Sequence, residues 1–156
     1  MDRHESSRHE QFVRAWAAYL DGFIFDLWLT LTFARPLSHA EAEAAWIELN
    51  HLLRRELGHR VEWFLVSELQ PNRGVVYFHS LMGHCQYHDG SKLLPSVVKA
   101  WWESRYGRAN IDVYDPERGT RYYLAQKLAW DDEHRVSDVL SSRGFRKLAL
   151  AHGKDS

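Results

Sequence analysis

Two periodicities alternate along the chain. From Leu27 to Phe33 (LWLTLTF), leucines at 27, 29 and 31 fall on one side with Phe33, and Trp28, Thr30 and Thr32 fall on the other. That is the two-residue period of a strand. Pro36 ends it. Ser38 followed three positions later by Glu41 makes a capping box, and Ala42, Trp46, Leu49, Leu52 and Leu53 carry a helix on to a stop at Gly58. Val61–Leu69 and Val75–Met82 read as two strands around Pro71-Asn72-Arg73-Gly74, residues that favour a tight turn. A helix is expected from about Pro95 to Tyr106, a fourth strand over Ala109–Tyr114, and a further helix over Thr120–Trp130. Ahead of all these, Phe12, Val13, Trp16, Ala17 and Leu20 repeat at helical spacing as far as Asp21-Gly22. Behind them, Val136–Leu140 suits either an edge strand or a helical turn.

From residue 27 the order is therefore β-α-β-β-α-β-α. It predicts an α+β fold: an open, mostly antiparallel sheet of the split β-α-β-β-α-β (RRM- or ferredoxin-like) kind, with helices packed on it. No repeat or linker interrupts the 156 residues, so a single domain over 1–156 is expected. Its core lies in 27–130, with an N-terminal helix in 1–22 and a basic C-terminal segment over 131–156. A chain of this length buries about 68–70% of its unfolded surface, enough for a true core.

Composition narrows the setting. The chain is 45% hydrophobic and 26% charged, which argues against disorder. No apolar run approaches the ~18 residues of a membrane helix, and the first residues (MDRHESSRHEQ) lack a signal-peptide core. One cysteine rules out an internal disulfide. A cytoplasmic protein with no membrane partner is expected. Twenty Lys+Arg against 21 Asp+Glu disfavour a strong non-specific polyanion binder, but leave room for a small nucleic-acid site with local basic residues. Seven Trp and ten His exceed what an ordinary core requires.

The hairpin offers the most definite geometry. With Pro71–Gly74 as its loop, Gln70 faces Val75, Glu68 faces Tyr77 and Val66 faces His79. Glu68, Tyr77 and His79 then share one face of the sheet. A carboxylate beside an imidazole can hold a divalent cation and leave positions for water and a phosphate oxygen. The bland reading of the same residues is a solvent-facing Glu68 at a strand end and a half-buried, hydrogen-bonded His79. On the helix over 120–130, Tyr123, Lys127 and Trp130 form one stripe, with Tyr122 and Gln126 beside it. A tyrosine one turn from a lysine suits a nucleophile with a cation for developing phosphate charge, and suits equally an aromatic pair packed on a sheet. His84, Cys85 and His88 have metal-like spacing, but no second ligand pair completes a zinc set. Of Trp101 and Trp102, one is expected to pack on the sheet and the other to offer a stacking surface.

The segments WLTLTF, SELQPNRGVVYFHSLM and YDPERGTRYYLAQKLA together resemble the three ordered motifs of the HUH endonucleases, the superfamily of rolling-circle replication initiators (Rep) and related relaxase-like and transposase domains. In that family the first motif is a strand of the form F-L-T-L-T. The second is a strand with two histidines around one hydrophobic residue. The third is a helix bearing the catalytic tyrosine. The resemblance spans about residues 27–130 and departs at two points. Tyr77 stands where the first histidine is expected, and a phenol is a poor ligand beside imidazole. Gln126 stands where the helix usually has lysine, with Lys127 one position further on.

The resemblance implies nicking and rejoining of single-stranded or hairpin DNA through a covalent 5′-phosphotyrosine on Tyr123, with Lys127 nearby. It implies a divalent metal (Mn²⁺ or Mg²⁺) on Glu68 and His79, with Tyr77 a weak ligand or none. Arg73, Arg143, Arg146 and Lys147 are the DNA-binding candidates. No helicase or primase segment is read in the chain, so such a helicase or polymerase partner would act in trans. The alternative is a catalytically impaired nucleic-acid-binding module on the same fold.

Overall fold

The computed structural model describes residues 11, 14–15, 17–70, 75–119 and 135–141. Their strands are β1 (Leu27–Thr32), β2 (Glu62–Gln70), β3 (Val75–Gly83), β4 (Ala109–Val113) and β5 (Arg135–Ser141), with helices α1 (His39–Leu57) and α2 (Pro95–Arg105). The strands form one sheet in the order β4-β1-β3-β2-β5, and each neighbouring pair is antiparallel. β3 lies between β1 and β2, so the β1-α1-β2 connection spans the strand that splits it. This is the open α+β sheet that the element order predicts. The 136–140 segment resolves as an edge strand, and the helix expected over 120–130 lies outside the described residues.

Local chemistry sets the ends of α1. Ser38 Oγ accepts from the Glu41 backbone N–H at 3.1 Å, and the Glu41 carboxylate accepts from the Ser38 N–H at 3.1 Å. Both bonds satisfy groups that the first turn leaves open. At the other end Gly58 takes φ 81°, where a side chain would be strained, and its N–H closes on the Arg54 carbonyl. Between the caps Ala42, Ala45, Trp46, Leu49, Leu53 and Leu57 make one buried stripe.

Side chains alternate across the sheet and so build two cores. Leu27, Leu29, Leu31, Leu65, Phe78 and Met82 point to the helical side, where they pack on α1 and on Val98 and Trp102 of α2. Trp28, Phe64, Val66 and Leu81 point the other way and are covered by Ala17, Leu20, Phe23 and Phe25 from the N-terminal segment, with Tyr114. Among the described residues no helix is long and apolar enough to cross a membrane.

Candidate functional site

On the face away from α1 and α2 the register stacks residues in three rows across the strands. The first holds Asp112, Trp28, Leu81 and Phe64; the second Asn110, Thr30, His79 and Val66; the third Thr32, Tyr77 and Glu68. The first row is largely apolar and belongs to the small core. The next two are mainly polar. Apolar cover thus gives way to donors and acceptors within one row spacing along the same strands.

Glu68 faces Tyr77 and Val66 faces His79, the pairing expected from a loop at Pro71–Gly74. Glu68 Oε2 lies 3.6 Å from His79 Nε2, and both side chains are buried, Glu68 at 2% exposure and His79 at 6%. The bland expectation of a solvent-facing Glu68 is therefore corrected. Glu68 also stands on an interior strand, since β5 pairs along the outer edge of β2, a long-range pairing that hairpin geometry alone does not reveal. The β2–β5 register shifts between Ser67 and Glu68, and irregularities of this kind commonly re-aim a side chain beside a site.

Two residues around His79 escaped the sequence reading. Thr30, directly opposite on β1, places its Oγ1 3.5 Å from His79 Nδ1. The Trp28 ring stacks on the imidazole with centroids 6.1 Å apart and planes at 18°. A hydroxyl both donates and accepts. When Nδ1–H donates to Thr30, the lone pair on Nε2 faces Glu68, which is the tautomer a metal needs. The signal for Thr30 was present in LWLTLTF, but only the β1–β3 pairing shows which threonine meets the histidine.

The donor set can be tested for a cation by geometry. Two ligands about 2.1 Å from one ion sit about 3.0 Å apart at right angles and about 3.4 Å apart at the tetrahedral angle. The 3.6 Å between Glu68 Oε2 and His79 Nε2 is close to that range, so the pair fits two positions on one ion with a small adjustment. Tyr77, half-buried, stands directly opposite Glu68 in the same row. No group of three His, Cys, Asp or Glu side chains suited to a metal occurs among the described residues. The site therefore offers two good donors, Glu68 and His79, with the Tyr77 phenol a weak candidate beside them.

Tyr123, Lys127, Arg73, Arg143, Arg146 and Lys147 lie outside the described residues. Cys85 does not join His84 and His88, whose rings both meet His59, the His88 ring edge-on at 6.1 Å between centroids. Cys85 is buried in the helical-side core, the His84 ring stacks on His59, and the His88 ring lies against Gly58. Trp102 is fully buried, its indole N–H donating to the Thr32 carbonyl at 2.9 Å. Trp101 is the partly exposed partner, with the Arg105 guanidinium 5.1 Å from its ring centroid.

Comparison of the chain with protein-family models, with curated proteins and with solved structures gives no match.

Proposed function

We propose that this chain is an HUH-type, Rep-like domain that nicks and rejoins single-stranded or hairpin DNA. The observation that carries the reading is the buried Glu68–His79 pair, its ligand atoms 3.6 Å apart on the sheet face opposite the helices. It coincides with the two residues that the motif resemblance assigns to the metal. The open antiparallel sheet supports the reading as the scaffold that the resemblance implies.

In this reading Glu68 and His79 would hold a divalent cation, Mn²⁺ or Mg²⁺, which when bound would supply Lewis acidity for phosphodiester chemistry. Thr30 fixes the His79 ring, and Trp28 supports it from the side. The Tyr123 oxygen attacks phosphorus and gives up its proton. The P–O3′ bond breaks, and the departing oxygen takes a proton to become a free 3′-hydroxyl. The product is a 5′-phosphotyrosine, and attack by a 3′-hydroxyl reverses the sequence and rejoins the strand. Lys127, one turn along the same expected helix, stabilises charge on the phosphoryl oxygens.

A second reading keeps the DNA and drops the chemistry. It is favoured by Tyr77, which leaves the site with a single imidazole among its donors. Incubation with a labelled single-stranded hairpin DNA library and Mn²⁺ separates the two. A denaturation-resistant adduct that disappears in Tyr123→Phe supports the endonuclease. Retained DNA without an adduct supports the binding module, and neither result defeats both.

A further inference from the structure

Where β2 begins, at the end of the sheet away from the Glu68–His79 pair, cationic and aromatic side chains gather around a groove. Trp63 and Glu68 are five residues apart on β2, about 17 Å at roughly 3.4 Å per residue. The groove has a volume of about 660 Å³ and is lined by His51 and Arg54 from α1, His59 and Arg60 from the connection, Glu62 of β2 and His84 after β3. Arg54 and Arg60 are exposed, and neither guanidinium forms an ion pair among the described residues. Glu62 is the one carboxylate among the described lining residues, so two arginines outweigh one acid before any histidine is counted.

The histidines are held in place. His59 Nδ1 lies 3.0 Å from the Arg60 carbonyl oxygen and Nε2 lies 2.6 Å from that of Gln86. These two contacts fix the orientation of the ring at the groove wall. The His84 ring stacks on it, centroids 4.0 Å apart and planes at 24°. His84 itself adopts φ 61°, a conformation uncommon outside glycine and often found at ligand sites. Trp63 adds a half-buried aromatic wall.

Exposed guanidiniums, imidazoles and an aromatic surface in one open groove match the chemistry that tracks a nucleic-acid backbone. We infer that this groove binds backbone phosphates of a DNA strand at a place distinct from the Glu68–His79 pair. The inference rests on the proposed function for the identity of the strand, and the groove chemistry is its own evidence for phosphate. The opposing consideration is that Arg54, in the last turn of α1, also complements the negative end of the helix dipole. That role requires no ligand, and DNA-binding measurements do not register it.

The test is fluorescence anisotropy of a labelled 30-nucleotide oligo-dT across 50–400 mM NaCl (a probe and range chosen for the assay), with wild type and the doubly substituted Arg54→Gln/Arg60→Gln protein. Both side chains are exposed, so the fold is retained. Each phosphate neutralised on a single strand contributes about 0.7 to the slope of log affinity against log salt. Losing two makes the slope shallower by about 1.4 and the affinity about 25-fold weaker at 0.1 M salt. The Arg54→Lys/Arg60→Lys protein, which keeps both charges, should retain the wild-type slope. An unchanged slope in the Gln protein overturns the inference, as does a Lys protein as impaired as the Gln protein. Adduct formation with Mn²⁺ is scored separately. A slope change without any adduct upholds the groove and defeats the endonuclease reading, and an adduct without a slope change does the reverse.

Discussion

Glu68→Gln tests the proposed cation site apart from everything else in the fold. The substitution keeps the side-chain length and a hydrogen-bonding oxygen but removes the carboxylate charge 3.6 Å from His79 Nε2. A site with two good protein donors belongs at the weak end of oxygen-ligand cation affinity, with a dissociation constant of about 10⁻⁴ M. At about 10 mM Mn²⁺ the site is then about 100-fold above that constant, and binding stabilises the native state by about 2.7 kcal/mol. For a chain of this length each kcal/mol raises Tm by about 2–4 °C, so Mn²⁺ should raise the wild-type Tm by about 5–11 °C. In Glu68→Gln the shift should fall to about 1 °C or less, because a neutral amide oxygen beside one imidazole holds Mn²⁺ poorly. Thermal melts by circular dichroism, with and without Mn²⁺, measure the shift within each variant, so any intrinsic cost of altering a buried residue cancels. Tyr77→His, which places a second imidazole in the row of Glu68, should enlarge the shift beyond that of wild type. Equal shifts in wild type and Glu68→Gln would refute the metal assignment. An unchanged shift in Tyr77→His would show that position 77 is outside the metal shell.

Four further outcomes follow from particular contacts. Tyr123→Phe should abolish the DNA adduct while Tyr122→Phe retains it, and the opposite pattern on denaturing gels would place the nucleophile one residue earlier. Trp102→Phe removes the 2.9 Å bond to the Thr32 carbonyl in a fully buried position and should cost about 1–3 kcal/mol in urea unfolding; a change near zero would mean that this indole nitrogen contributes little. Gly107→Ala would set a Cβ 2.3 Å from the Thr32 carbonyl oxygen and 2.9 Å from the Ala34 nitrogen, both backbone atoms, and should destabilise by about 1–3 kcal/mol on the same assay. The Ser38 backbone N–H, then its hydroxyl, holds the Glu41 carboxyl below its ordinary 4.5. A lowered folded value makes this cap's contribution complete above the unfolded value and lost as pH falls through the folded one, so Glu41→Gln should flatten the acid limb of stability below about pH 5.

Much of this fold is local chemistry and could be read from the chain. The Ser38–Glu41 box, the Gly58 stop, the alternation of LWLTLTF and the turn residues at 71–74 each act within a few positions. The α1 caps, the β1 faces and the Glu68–Tyr77 register agree with them. Hairpin register is legible because a short loop fixes which residues face each other. Non-local pairing is different. Nothing in the sequence near His79 says that Thr30 lies opposite it or that Trp28 stacks on its ring, since those contacts join positions some fifty residues apart across the β1–β3 pair. The same holds for β5, whose sequence suits an edge strand or a helical turn and becomes a strand only by pairing with β2. It holds also for His84, Cys85 and His88, which are neighbours in sequence, yet the two histidine rings meet His59 while Cys85 is buried in the helical-side core. Spacing along a chain determines which side chains can share a face. Only the packing of strands distant in sequence decides which faces meet, because that choice is made by the burial of whole surfaces rather than by any local group.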